Sequence, residues 1–65
     1  MTVLEARLPR SSAWLPIDVK VGMPVIRSEY YKHYLIENNL PLVYSLETYA
    51  KYLESKGFET RMVEQ

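Results

Sequence analysis

The stretch SLETYAKYLESKGFETRMV, residues 45–63, decides the fold because it joins a helical pattern directly to a strand pattern. Four apolar residues recur at the spacing of one helix face: Leu46, Tyr49, Ala50 and Leu53. They predict a helix over 45–56, which Gly57 is placed to cap. Residues 58–63 then alternate between the two faces of an extended chain, which is the period of a strand. A helix that ends at a glycine and continues at once into a strand packs back along a sheet.

Two further alternating runs, residues 3–8 and 17–21, precede this stretch and predict two more strands. Their apolar positions are Leu4, Ala6, Leu8, Ile17, Val19 and Val21. Pro9 ends the first run and Gly22 ends the second. Because the connection between the runs is short and polar, we expect them to pair antiparallel.

Residues 28–38 predict a second helix. Ser28 can cap its first amides with the hydroxyl, and Asn38-Asn39 followed by Pro41 marks its end. A competing interpretation makes 25–36 a strand that pairs with 40–44 across a turn at Asn38-Asn39. The cap and stop signals favour the helix. The sequence therefore predicts one small α+β domain, residues 1–65, with two to three antiparallel strands and two short helices.

The composition argues against catalysis and against a metal or other cofactor. The chain has no cysteine and one histidine, so neither a thiolate site nor an imidazole cluster can form. His33 is the only group that titrates near neutrality without perturbation, and Glu29, one helical turn before it, is the candidate to orient its ring. No Ser–His–acid arrangement and no glycine-rich phosphate loop accompany them. The sequence predicts a protein that is not an enzyme.

Length and hydropathy set two expectations about the surroundings of the chain. Charged residues at positions 5, 7 and 10 interrupt any secretory signal, and no window approaches the length of a membrane span, so we expect a cytoplasmic protein without membrane contact. A domain of 65 residues without disulfides is marginal on its own. Support from a homo-oligomer or from another protein is therefore expected.

The six tyrosines, all between Tyr30 and Tyr52, are the strongest functional signal. A phenol ring gains free energy by leaving water, while its hydroxyl needs water or a partner, so a small interior cannot hold them all. Tyr49 lies on the apolar helix face and is expected in the core. The residues predicted to form an exposed partner-binding patch are Tyr30, Tyr34, Tyr44 and Tyr52.

A nucleic-acid interface is the alternative. Its candidate contacts, in the basic N-terminal half, are Arg7, Arg10, Lys20 and Arg27. Residues 44–53 resemble the first helix of excisionase-type winged-helix proteins, but the turn and basic recognition helix that follow in that family are absent. Eight basic residues balance eight acidic ones, whereas DNA-binding domains usually carry a basic excess.

The sequence thus predicts a small non-catalytic protein-binding module that acts as a regulator, an inhibitor or an accessory subunit. By analogy, accessory proteins encoded by phages and mobile elements are often equally short. The alternative is a small DNA-binding transcriptional regulator that uses the basic N-terminal half.

Overall fold

A computed structural model describes residues 1–65 and contains three strands and two helices. In chain order these are β1 (Thr2–Arg7), β2 (Leu15–Ile17), α1 (Glu29–Glu37), α2 (Leu46–Ser55) and β3 (Glu59–Glu64). The strands form one antiparallel sheet in the order β2-β1-β3. The predicted α+β class is confirmed, and the favoured helix over residues 28–38 is correct.

Helix α2 covers one face of the sheet and is the centre of the molecule. Leu4 and Ala6 of β1 are buried beneath it, and Ala50 is the buried position of the helix itself. The Thr60 hydroxyl donates a hydrogen bond of 2.9 Å to the Glu54 carboxylate, which ties β3 to α2. The apolar face of α2 predicted from the spacing is therefore divided, since Ala50 is buried whereas Tyr49 packs on Tyr31 of α1.

The opposite face of the sheet is held by charged pairs rather than by a second layer. Arg7 contacts Glu59 and Arg61 contacts Glu5, each at 2.7 Å. Both guanidinium groups also lie over the ring of Trp14, 4.5 and 4.3 Å from its centroid. Cations stack favourably on the indole face, so Trp14 fixes the β1–β2 connection against the outer side of the sheet.

The second strand lies earlier than predicted, at 15–17 rather than 17–21. It pairs with Leu4–Ala6 at the edge of the sheet, where Pro16 is tolerated because its missing N–H is not needed. After Ile17 the chain turns away, since the Val21 N–H donates to the Val19 carbonyl and the Gly22 N–H donates to that of Tyr44, both at 2.9 Å. Leu8 was expected on the buried face with Leu4; it lies beyond β1 and is 55% exposed.

Both helices end in the same capping motif. In α1 the amides of Asn39 and Leu40 bond to the carbonyls of Ile36 and Leu35, with Asn39 in the left-handed region at φ 59°. In α2 the donors are Gly57 and Phe58 and the acceptors are Glu54 and Leu53, with Gly57 at φ 95°. These pairs of bonds are those of the Schellman motif.

The start of α1 differs in detail from the prediction, since no side-chain hydrogen bond from Ser28 caps the helix. The Ser28 carbonyl instead accepts the first helical bond, from the Lys32 amide at 2.9 Å.

Helix α1 packs on α2 and does not approach the strands. The connections on either side of it pair with each other, through a bridge between Pro24 and Val43 and a hydrogen bond of 3.0 Å from the Val25 amide to the Leu42 carbonyl. The competing prediction of a strand over 25–36 is therefore wrong, because residues 29–37 form a helix. Its prediction that this part of the chain pairs with 40–44 is correct for Val25, which bonds to Leu42. This bridge brings Val25 against Tyr31 and Leu35, which form the second buried cluster.

Candidate tyrosine-lined binding groove

A surface groove of about 660 Å³ runs between α1 and the C-terminal end of α2. Residues of both helices line it: Glu29, Tyr30, His33, Tyr34, Glu37, Asn38, Tyr52, Ser55 and Lys56. The α1 members recur every three to four positions, so they occupy one side of that helix. We call this feature the tyrosine groove.

Three of the four tyrosines predicted to form a contact surface lie in the tyrosine groove. Tyr30 is 77% exposed, whereas Tyr34 and Tyr52 are half-buried and meet edge to face with centroids 5.4 Å apart. Tyr44 does not line the groove; it stacks on the ring of Tyr31 at 5.4 Å. Tyr44 follows the paired segment around Val43, which directs it inward.

A cluster of rings supports the tyrosine groove from below. Tyr31 is fully buried at its centre, with the centroids of Tyr49 and Tyr52 at 4.8 and 5.2 Å. Tilted and edge-to-face ring pairs at these distances are favourable beyond the area they bury. Tyr52 belongs both to this cluster and to the groove wall, so its ring is packed from behind.

Burial changes the acidity of two rings in the cluster. Desolvation raises the pKa of Tyr31 and of Tyr49 above the ordinary phenol value, because the phenolate form loses hydration there. For Tyr31 the backbone of Ser45 counteracts part of the rise, yet the hydroxyl is buried without a well-formed hydrogen bond. Tyr31 therefore keeps its proton well into the alkaline range.

Lys56, at the end of α2, places its ammonium group over two rings of the tyrosine groove. Its Nζ atom lies 5.4 Å from the centroid of Tyr30 and 5.6 Å from that of Tyr52. Tyr52 and Lys56 are four positions apart, which lets the lysine side chain turn back over the ring. The cation thus sits where exposed tyrosine faces offer the most negative potential.

The α1 side of the groove also contains a pair of charged or chargeable groups. The Nε2 atom of His33 lies 2.8 Å from a carboxylate oxygen of Glu37, and both side chains are largely exposed. Glu29, the candidate to orient His33, does not pair with it. The succeeding carboxylate, rather than the preceding one, holds the imidazole.

The predicted basic contacts do not share one element. Arg7 is paired with Glu59 on the outer side of the sheet, and Arg10 lies in the turn after β1. Lys20 and Arg27 are exposed in the connection between β2 and α1. Of the four, only Arg7 has its charge matched by a carboxylate.

Lys56 and the His33–Glu37 pair were not predicted as parts of a site. The position of Lys56 at the negative end of a helix accounts for its charge but not for the direction of its side chain. The spacing of Tyr52 and Lys56 was the available signal.

Comparison with known proteins finds no matching family model, no matching curated protein and no matching solved structure. Neither helix is long and apolar enough to cross a membrane. The groove itself offers aromatic faces, one ammonium group and two carboxylates, which are groups that recognise a ligand by shape and charge.

Proposed function

We propose that this protein is a small non-catalytic binding module whose tyrosine groove docks a segment of another protein, so that it acts as a regulator, an inhibitor or an accessory subunit. The observation that carries the proposal is the wall of Tyr30, Tyr34 and Tyr52, in which Tyr52 rests on the buried ring of Tyr31 and meets Tyr34 edge to face while Tyr30 is exposed.

Such a wall suits binding for two reasons. Tyrosine presents a large, partly apolar surface while losing little side-chain entropy on contact, and it is enriched among residues that dominate interface energies. The rings beneath Tyr52 also hold the surface in place before a partner arrives, which lowers the cost of association.

The test compares Tyr30→Ala with Ile36→Ala. Both residues are exposed apolar positions of α1, but only Tyr30 lines the groove, so both variants should fold and only one should lose binding. Proteins retained by the immobilised wild type from an extract of the source organism are identified, purified and titrated against all three forms. We expect Tyr30→Ala to raise the dissociation constant by about tenfold or more, as for an aromatic anchor.

Equal affinities for Tyr30→Ala and Ile36→Ala would contradict the proposal, provided that circular dichroism shows both variants folded. A second contradicting result is retardation of duplex DNA at low salt that survives in Tyr30→Ala and disappears when Arg10 and Lys20 are both replaced by alanine. That outcome would assign the function to the basic N-terminal half, because phosphate contacts dominate such binding.

A further inference from the structure

Lys56 occupies a position that a foreign cation could take. Its ammonium lies over Tyr30 and Tyr52, so the groove already contains the chemical pair that aromatic cages use to hold alkylammonium groups. The chain itself therefore shows which kind of group this part of the groove accepts.

Nothing else fixes Lys56 there. No carboxylate lies within ion-pair distance of its Nζ atom, and the residue is exposed at the end of α2. Exposed cation–π contacts are weak, and a lysine side chain gains rotamer freedom when it is released. Displacement of Lys56 into water is therefore easy.

The charge of the groove also favours a cation. Of the two carboxylates among the lining residues, Glu37 is paired with His33, which leaves Glu29 without a charged partner beside Lys56. Once Lys56 swings out, the two rings and the Glu29 carboxylate line a position that a positive side chain complements.

We propose that the partner segment inserts a lysine side chain between Tyr30 and Tyr52 and that Lys56 is the internal competitor it displaces. This inference rests on the proposed function and adds the chemistry of the recognised group. Lys56 lowers the affinity of the groove for its ligand because each binding event must first remove it.

The test titrates the isotope-labelled full chain with an acetylated, amidated Gly-Lys-Gly peptide and follows backbone amide shifts by nuclear magnetic resonance. The matched probe replaces lysine with norleucine, which keeps the alkyl stem and removes the charge. We expect the lysine peptide, and not the norleucine peptide, to shift amides around Tyr30 and Tyr52. Lys56→Met removes the competing ammonium group and should lower the dissociation constant of the lysine peptide by about three- to tenfold.

Lys51→Met is the control, since Lys51 is an exposed lysine of α2 outside the groove and its loss should leave the constant unchanged. Tyr30→Ala should weaken binding of the lysine peptide in the Lys56→Met background. Equal binding of the norleucine peptide, or a constant that Lys56→Met leaves unchanged or weakens, would overturn the inference.

The two proposals fail in different ways. If the lysine peptide binds neither wild type nor Lys56→Met, while the purified partner still distinguishes Tyr30→Ala from Ile36→Ala, the assigned occupant is wrong and the proposed function stands. If the partner binds both of those variants equally, the function fails and the inference fails with it.

Discussion

At the scale of single residues, the hydroxyl of Tyr31 is the one buried side-chain polar group without a well-formed hydrogen bond. It is buried in the ring cluster without a well-formed hydrogen bond, and a buried donor in that condition costs free energy that the rest of the fold must offset. The ring itself is needed, because it contacts Tyr44, Tyr49 and Tyr52.

Tyr31→Phe should therefore stabilise the protein, raising the free energy of unfolding by about 1 kcal/mol, because it keeps the ring and removes the unpaired hydroxyl. Urea denaturation followed by circular dichroism measures the change. Tyr30→Phe is the control, since that hydroxyl is exposed and its loss should be neutral. A loss of stability in Tyr31→Phe would show that the hydroxyl has a partner.

Tyr31, together with Tyr49, also affects how the stability of the protein changes at alkaline pH. The pKa values of Tyr31 and Tyr49 are raised in the folded state, so the protonated rings favour folding. Their contribution is fully present below the unfolded pKa of about 10 and is lost as pH rises through the folded values. Tyr31→Phe removes one such group, so its alkaline denaturation midpoint should move to higher pH than that of the wild type. An unchanged or lower midpoint would contradict this assignment.

At the scale of elements, the residues with left-handed backbone conformation that end the helices contribute to the free energy of unfolding. Gly57 has φ 95°, and a methyl group added there would meet no atom within 4 Å. The cost of Gly57→Ala is therefore conformational rather than steric crowding by neighbours, and we expect a loss of about 1–2 kcal/mol in the urea-derived free energy of unfolding.

Asn39→Gly is the matched variant at the end of α1. Asn39 already occupies the left-handed region, at φ 59°, so glycine should be tolerated there without loss. If Gly57→Ala proved neutral, the last turn of α2 would have to end differently in solution.

The elements also show where sequence reasoning succeeds. The ends of both helices were predictable because capping depends on residues within one turn, such as Asn39 or Gly57. The second strand was not, because alternation in 17–21 cannot reveal that Gly22 bonds to Tyr44, far along the chain. The stacking of Tyr44 on Tyr31 likewise depends on contacts between distant parts of the chain. The small interior indicated that Tyr30, Tyr34 and Tyr52 would be exposed in part, whereas their placement around one groove and the direction of Lys56 needed the structure.

At the scale of the whole molecule, the interior is small for the number of apolar residues. Six residues are buried, whereas twelve large hydrophobic side chains are exposed, including Met1, Leu15, Val21 and Ile26. Small domains with exposed apolar surface gain stability by covering it. The imbalance supports the expectation of self-association.

We therefore predict that the melting temperature rises with protein concentration, since association stabilises only the folded chain. Sedimentation equilibrium over the same concentrations should show an average mass above that of a single chain. A constant melting temperature together with a single-chain mass would contradict the prediction. Repeating both measurements on Tyr30→Ala tests whether the tyrosine groove takes part.

The placement of Trp14 on the outer side of the sheet gives the protein two distinct optical reporters. The single indole stacks on Arg7 and Arg61 and reports mainly on the sheet, while every phenol belongs to the helices and the connections around them. Trp14 fluorescence, excited at the long-wavelength edge of the indole absorption band, reports on the sheet. Tyrosine absorbance reports on the helices. One denaturation series can thus be read twice, and the spacing between the two curves measures how tightly the layers are coupled.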